Sequence, residues 1–368
     1  MTHRIELCKQ TSNMLTEFGV NNKVVNSTAN LDDQDEYGCF VAMVETLNNR
    51  LQDDKMDISD VGLVIIDEAH YNSFTKLFKY FENAFILGVT ATPLSSNIKL
   101  PMNDNYNELI VGETIEALIE NEFLSRANTY SYNVGLTSLE VGANGDYTVK
   151  SSEDLYTQSD MLSKLMQAYE ERSKGKKTLI FNNGINTSLH VYDAFNYAGY
   201  PVMHLDNTAT KKQRKAILKW FHETPDAILT SVSILTTGFD EPTIDTIILN
   251  RATKSLTLYY QMIGRGSRIL NNKSKFTVID LGNNMHRFGP WGADVDWQAI
   301  FKSPNYYIDR IKDDEEIEGV FKHDLSDDVK EEFAKSENTY FDIKAIYRDA
   351  TFAGESSTVV LEQSITQH

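Results

Sequence analysis

Apolar positions along this chain fall into short uninterrupted runs separated by stretches of helical spacing. Ala84–Val89, Thr178–Phe181, Ala227–Thr230, Thr246–Leu249 and Phe276–Asp280 read as strands, and Leu63-Val-Ile-Ile66 runs with no polar alternation at all. Runs of this kind predict strands buried on both faces, as in a parallel sheet flanked by helices. Cys39–Val44 and Tyr200–Leu205 read as further strands. Between the strands, Leu7, Met14, Leu15 and Phe18 share one helical face and Gly19 stops it. Met161, Leu162, Leu165, Met166 and Tyr169 form a second stripe, and helices are expected over 45–51, 113–122, 187–198 and 256–263. Thr210 with Gln213 three residues on is a capping box, which starts another helix. Ala127–Lys150 alternates as a strand pair would, with Asn144-Gly145 at its turn. The expected fold class is α/β with parallel sheets, and the alternation occurs twice, with a break between about Pro93 and Arg126.

Composition refines this picture without redirecting it. The 368 residues suffice for two ordinary domains and an appendage. No apolar run reaches the ~20 residues of a membrane span, so no membrane partner is expected. The N-terminal residues have no apolar signal region, and Cys8 and Cys39 form neither a disulfide framework nor a metal-ligand spacing. A reducing cytoplasm, bacterial or that of a phage's host, is the default setting. The net charge of −18 is unevenly spread. Leu205–Lys275 holds eleven Lys/Arg against six Asp/Glu, a net of +5, whereas Asp309–Asp342 holds five against thirteen, a net of −8. A local basic face therefore coexists with an acidic tail, and local potential governs binding to a polyanion.

Several strand ends carry reactive groups. Asp67 and Glu68 end the Leu63–Ile66 run, where open α/β sheets bind ligands. Thr90-Ala-Thr92-Pro93 closes the next strand with two hydroxyls. In the second half, Ile234-Leu-Thr-Thr-Gly-Phe-Asp-Glu-Pro242 places Gly238 and Asp240 after a strand. Gln261-Met-Ile-Gly-Arg265-Gly-Ser-Arg268 sets two arginines three apart, with Gly264 and Gly266 expected to clear their approach. Guanidinium groups so placed suit a transferring phosphoryl group. Each segment alone also reads as a solvated turn, but their order describes a cleft site shared by two domains.

The ordered set resembles the superfamily 2 helicases of the DEAD/DEAH-box kind, closest to bacterial and phage members. Thr2-His-Arg-x-Glu-Leu-x-x-Gln10 matches motif Ia, Glu45-Thr-Leu47 motif Ib, Asp67–His70 motif II and Gly88–Pro93 motif III. Thr178–Phe181 matches motif IV, Thr236–Asp240 motif V and Gln261–Arg268 motif VI. The resemblance implies two tandem RecA-like domains, over 1–125 (incomplete) and 126–290, with an acidic extension over 291–368. It implies ATP and Mg²⁺ as cofactors. Asp67 would hold the Mg²⁺, Glu68 would orient or deprotonate the attacking water, and His70 and Gln261 would couple the domains. Gly238, Asp240, Arg265 and Arg268 would line the nucleotide, the arginines as fingers on its phosphates. Thr90 and Thr92 would link that site to the nucleic-acid track. Arg4, Thr46, Ser231, Thr236 and Thr237 would contact backbone phosphates, and Lys211-Lys-x-Arg-Lys215 could add to that track. DNA is favoured over RNA, by analogy with repair and replication members.

One departure stands out. The family's P-loop, Gly-x-x-x-x-Gly-Lys-Ser/Thr, precedes motif Ia, and this sequence opens at motif Ia. Lys174-Gly-Lys-Lys-Thr178 is a near match that leads into a strand instead of following one, and Glu170 stands where the first glycine belongs. The expectation is a helicase motor whose P-loop comes from an upstream segment or a separate chain. Without the strand that carries it, Leu63–Ile66 would lose a neighbour and expose apolar surface. The alternatives are an ATPase-deficient nucleic-acid-binding or scaffold module, and the motor part of a larger restriction or repair machine.

Overall fold

The computed structural model describes residues 1–2, 5–31, 36–95, 100–232, 234–236, 239–270, 273–304 and 321–322. The chain divides into two compact units, residues 1–111 with 297–306 and residues 112–296 with 307–368.

The first unit contains α1 (Ile5–Glu17), β1 (Asn22–Val25), β2 (Cys39–Ala42), α2 (Val44–Gln52), β3 (Leu63–Asp67), a 3₁₀ segment (Asn72–Tyr80) and β4 (Phe85–Val89). β1 pairs β2 and β3 pairs β4, both in parallel. Met1 and Thr2 lie between these pairs. Thr2 N donates to Ala42 O (3.0 Å) and Val44 N to Thr2 O (3.1 Å). On the other side Asp67 N donates to Met1 O (3.0 Å), and the Met1 amino group donates to Ile65 O (2.5 Å). Burial pushes that ammonium below its ordinary pKa. Among the described residues no strand fills the rest of the interval between β2 and β3.

β3 corrects the expectation of burial on both faces. Val64 and Ile66 are 5% and 0% exposed, but Leu63 and Ile65 are 53% and 50% exposed. One face packs with α2 and the 3₁₀ segment, where Leu47, Leu51, Phe74 and Leu77 join the core. The other face, with Phe85, Leu87 and Val89 of β4, is uncovered among the described residues. The helical face read over 4–18 is corrected too. Cys8 is buried, whereas Met14 and Phe18 are exposed, and Gly19 ends the helix at φ +76° as a left-handed cap should.

In the second unit, α3 (Ile115–Glu120) and β5 (Arg126–Ser131) lead to α4 (Val149–Tyr156), α5 (Ser159–Arg172), β6 (Thr178–Asn182) and α6 (Ile185–Tyr197). β7 (Val202–Leu205), α7 (Lys211–Glu223), β8 (Ile228–Val232), β9 (Thr246–Asn250), α8 (Leu256–Ile263), β10 (Lys275–Asp280) and α9 (Asn284–Phe288) follow. A two-residue β11 (Asp294–Val295) pairs antiparallel with β12 (Phe321–Lys322), while α10 (Trp297–Lys302) belongs to the first unit. Six strands form one sheet in the order β5-β10-β9-β6-β8-β7, every pair parallel. Here the uninterrupted runs behave as expected, since every residue of β6 and β9 is buried. Tyr156, Leu165, Tyr169, Val191 and Phe195 of α4, α5 and α6 cover one face of the sheet. Thr210 and Gln213 make the reciprocal capping box of α7.

The strand pair expected over 127–150 is not formed. Its first part is β5, which joins the parallel sheet beside β10. A single Val141–Tyr147 bridge frames the Asn144-Gly145 turn, and Gly145 takes φ +82°. The alternating residues of β5 pair instead with β10, over Arg126–Ser131 against Lys275–Asp280. Most of the acidic extension lies outside the described residues. Among the described residues no helix is long and apolar enough to cross a membrane.

Candidate active site

In-register pairing of β3 with β4 sets Asp67 opposite Val89, so the Asp67–His70 turn and the Thr90–Pro93 turn leave the sheet side by side. Ala69 N donates to Val89 O (3.0 Å) and Tyr71 N to Glu68 O (3.0 Å), which closes the chain tightly after the strand. Glu68 takes φ +54°, a left-handed conformation that costs of order 1–3 kcal/mol in a residue with a Cβ. His70 is buried, and its Nδ1 shares a 2.9 Å hydrogen bond with Thr90 Oγ1 and lies 3.4 Å from Glu68 Oε2. Thr90 Oγ1 in turn accepts from Thr92 N (3.1 Å). The Thr92 hydroxyl is buried without a hydrogen-bond partner among the described residues. Gly88 has a packing reason: a Cβ there would lie 2.8 Å from the Ala69 Cβ and 2.7 Å from the Tyr106 ring.

Asp67 is exposed at its strand end. Among the described residues no three His, Cys, Asp or Glu side chains gather as a metal cage. Mg²⁺ bound to a nucleotide needs only one or two carboxylates, the rest of its shell being phosphate and water, so an exposed Asp67 beside Glu68 fits such an ion.

In the second unit α8 stops at Ile263, and Arg265 and Arg268 project from the turn that follows. They converge on one loop. Arg265 Nη1 donates to Phe239 O (2.8 Å), and Arg268 Nε donates to Asp240 Oδ1 (3.1 Å). Gly266 does not clear an approach for a ligand. A Cβ on it would lie 2.4 Å from the Phe276 ring, so it lets the turn pack onto β10. Gln261 is half-buried on α8, and Thr46 is half-buried in the first turn of α2. Ser231 and Thr236 are buried. Arg4, Thr237 and Gly238 lie outside the described residues. Of the basic run, Lys211, Lys212 and Lys215 are exposed on α7.

The near match to a P-loop is a turn before β6. Gly175 takes φ +77°, and buried Lys177 donates to His222 O (2.8 Å), with burial lowering its pKa. Sequence reasoning missed two residues bearing on the arginine turn. Ser125 N donates to Ser267 O (2.7 Å) and its hydroxyl to Arg268 O (3.0 Å). Lys273 Nζ donates to Gly266 O (2.7 Å) and Pro242 O (3.0 Å). Neither sits in a motif, and only the tertiary fold brings them there.

Each of the two units carries its own family signature. The family described as "Type III restriction enzyme, res subunit" matches residues 1–95, and the family described as "Helicase conserved C-terminal domain" matches residues 158–270. The chain belongs to the helicases of superfamily 2. This helicase chain is 29% identical, over 65% of its length, to a 51.5 kDa protein of Lactococcus phage (isolate 7-9), of which the match covers 53%. It is 26% identical, over 76% of its length, to a Saccharomyces cerevisiae protein assigned as the ATP-dependent helicase IRC3, covering 42% of that protein. A fragment structure assigned as an HsdR subunit of a type I restriction enzyme from Vibrio vulnificus YJ016 superposes with a TM-score of 0.58. It is 22% identical, covers 75% of the helicase chain and 53% of its own, and shows the shared RecA-like α/β fold. The helicase chain thus spans about half the length of the phage protein and of the HsdR fragment.

Proposed function

We propose that this chain is the motor of an ATP-dependent nucleic-acid helicase or translocase acting on DNA. The carrying observation is the Asp67–Glu68 strand end, held in a left-handed turn and tied to Thr90 through His70. In this reading Asp67 would hold the Mg²⁺ of the nucleotide, which when bound would supply charge neutralisation at the transferring phosphoryl group. Glu68 accepts the proton of the attacking water. Arg265 and Arg268 release Phe239 O and Asp240 and turn to the phosphates. Gln261, His70, Thr90 and Thr92 pass the state of the nucleotide to a track formed by Arg4, Thr46, Ser231, Thr236 and Thr237.

A P-loop, carried by an upstream segment or by another chain, completes the nucleotide site. The face of Leu63, Ile65, Phe85 and Leu87, uncovered among the described residues, supports this reading. The test is nucleic-acid-stimulated ATP hydrolysis by the protein with that segment present. Stimulated hydrolysis is the expected result. Salt-dependent nucleic-acid binding without hydrolysis would instead favour a scaffold module.

A further inference from the structure

Lys273 stands just before β10, with its side chain folded inward. Its ammonium reaches two segments at once, the carbonyl of Gly266 within the arginine turn and the carbonyl of Pro242 at the end of the loop that carries Asp240. The same two segments touch elsewhere through Arg265 to Phe239 O and Arg268 to Asp240. Those arginine contacts are exchangeable: a guanidinium that turns to a phosphate lets go of its loop partner. The Lys273 contacts go to backbone, the one to Gly266 O buried and the one to Pro242 O part-buried, so they persist when the arginines move. Ser125 adds a second hold, since its one hydroxyl proton is shared between Arg268 O (3.0 Å) and Lys273 O (3.1 Å).

We propose that Lys273 is a positioning residue that clamps the Phe239–Pro242 loop to the Arg265–Arg268 turn and so aims the two arginines. This rests on the reading above that those arginines meet ATP. A buried ammonium is costly, and a methionine of similar volume would fill the site without that cost. Burial lowers the pKa of Lys273 to about 8, against the opposing pull of Asp245 and Glu241. Glu241 is itself paired with His222 (2.8 Å), and the Phe276 ring lies 5.8 Å from the ammonium. The return on the buried charge is geometric, two donors fixed between two loops.

The test compares Lys273→Met, Lys273→Arg, Ser125→Ala and Arg265→Ala in the protein that bears the P-loop. Misplacement of a catalytic group by about 1 Å costs on the order of 10²-fold. Lys273→Met is therefore expected to lower kcat roughly 10- to 100-fold with KM for ATP little changed, and Lys273→Arg to restore part of it. Ser125→Ala should act in the same direction more weakly. In an Arg265→Ala background, Lys273→Met should cost less than it does alone, because the part of its effect that passes through Arg265 is already lost and only the part through Arg268 remains. A full additional loss there, or an unchanged kcat in the single variant, overturns the clamp. Independently of ATP, amide hydrogen exchange in the chain as it stands should quicken at residues 239–241 and 265–268 in Lys273→Met. Unchanged exchange at both segments also overturns it. Full ATPase activity in Arg265→Ala would instead remove the ATP reading, and hydrogen exchange would still decide the clamp.

Discussion

His70 Nδ1 lies 2.9 Å from the Thr90 hydroxyl and 3.4 Å from a Glu68 carboxylate oxygen, so one buried imidazole nitrogen faces both turns of the first unit. If this nitrogen links the two turns, His70→Ala and Thr90→Val should each lower stimulated ATP hydrolysis, and the double variant should be little worse than the worse single one. Contacting residues of this kind couple by about 0.5–3 kcal/mol in a double-mutant cycle. Additive losses would show that the two side chains act separately.

Gly266 gives a prediction about stability alone. Its missing Cβ leaves room for Phe276, which is itself held edge-on against Trp291 with ring centroids 5.9 Å apart. Gly266→Ala should destabilise the second unit by about 1–3 kcal/mol, as overpacking does. Urea unfolding checks this, and an unchanged midpoint would contradict the packing described.

The ion pair between Arg268 and Asp240 is more than half exposed on both sides. Exposed pairs contribute about 0–1 kcal/mol, so Asp240→Asn should leave the urea midpoint nearly unchanged. The same substitution should still alter ATPase kinetics if Asp240 lines the nucleotide. A large loss of stability would place the pair among structural contacts.

Lys273 predicts a pH dependence of folding. Its pKa is about 8 in the folded chain against an ordinary value of 10.5. Below about pH 8 both states are charged, and the folded state bears the full cost of burial. Between the two values the unfolded chain holds more protons, so this group's contribution to stability rises with pH. Relative to Lys273→Met, the native chain should gain stability on going from about pH 7 to about pH 9.5. A constant difference between the two unfolding midpoints across that range would contradict it.

The second unit was more legible in sequence than the first, for a physical reason. β6 and β9 have neighbours on both edges and helices over them, so an uninterrupted apolar run meant full burial. Leu63–Ile66 carries the same signal, but half of its side chains are exposed because one face of the β3–β4 pair is uncovered among the described residues. Periodicity reports what a strand is suited to and not which neighbours are present. The placement of Asp67, Glu68 and His70 at a strand end was readable because the apolar run stops where they begin. Lys273 was not readable, because a lysine between Asn272 and Ser274 looks like any solvated strand entry. Its burial depends on Pro242 and Gly266, brought to it by the fold.

The most direct measurement is single-turnover ATP hydrolysis, with and without nucleic acid, by the protein bearing the P-loop and by its Glu68→Gln and Arg265→Ala variants. A positioned general base contributes about 10²–10⁴-fold and an arginine finger about 10³–10⁵-fold. The expected result is stimulated hydrolysis in the native protein and losses of those sizes in the variants, with ATP binding retained in Glu68→Gln. Native rates in both variants would contradict the assignment of Glu68 and Arg265 to ATP hydrolysis.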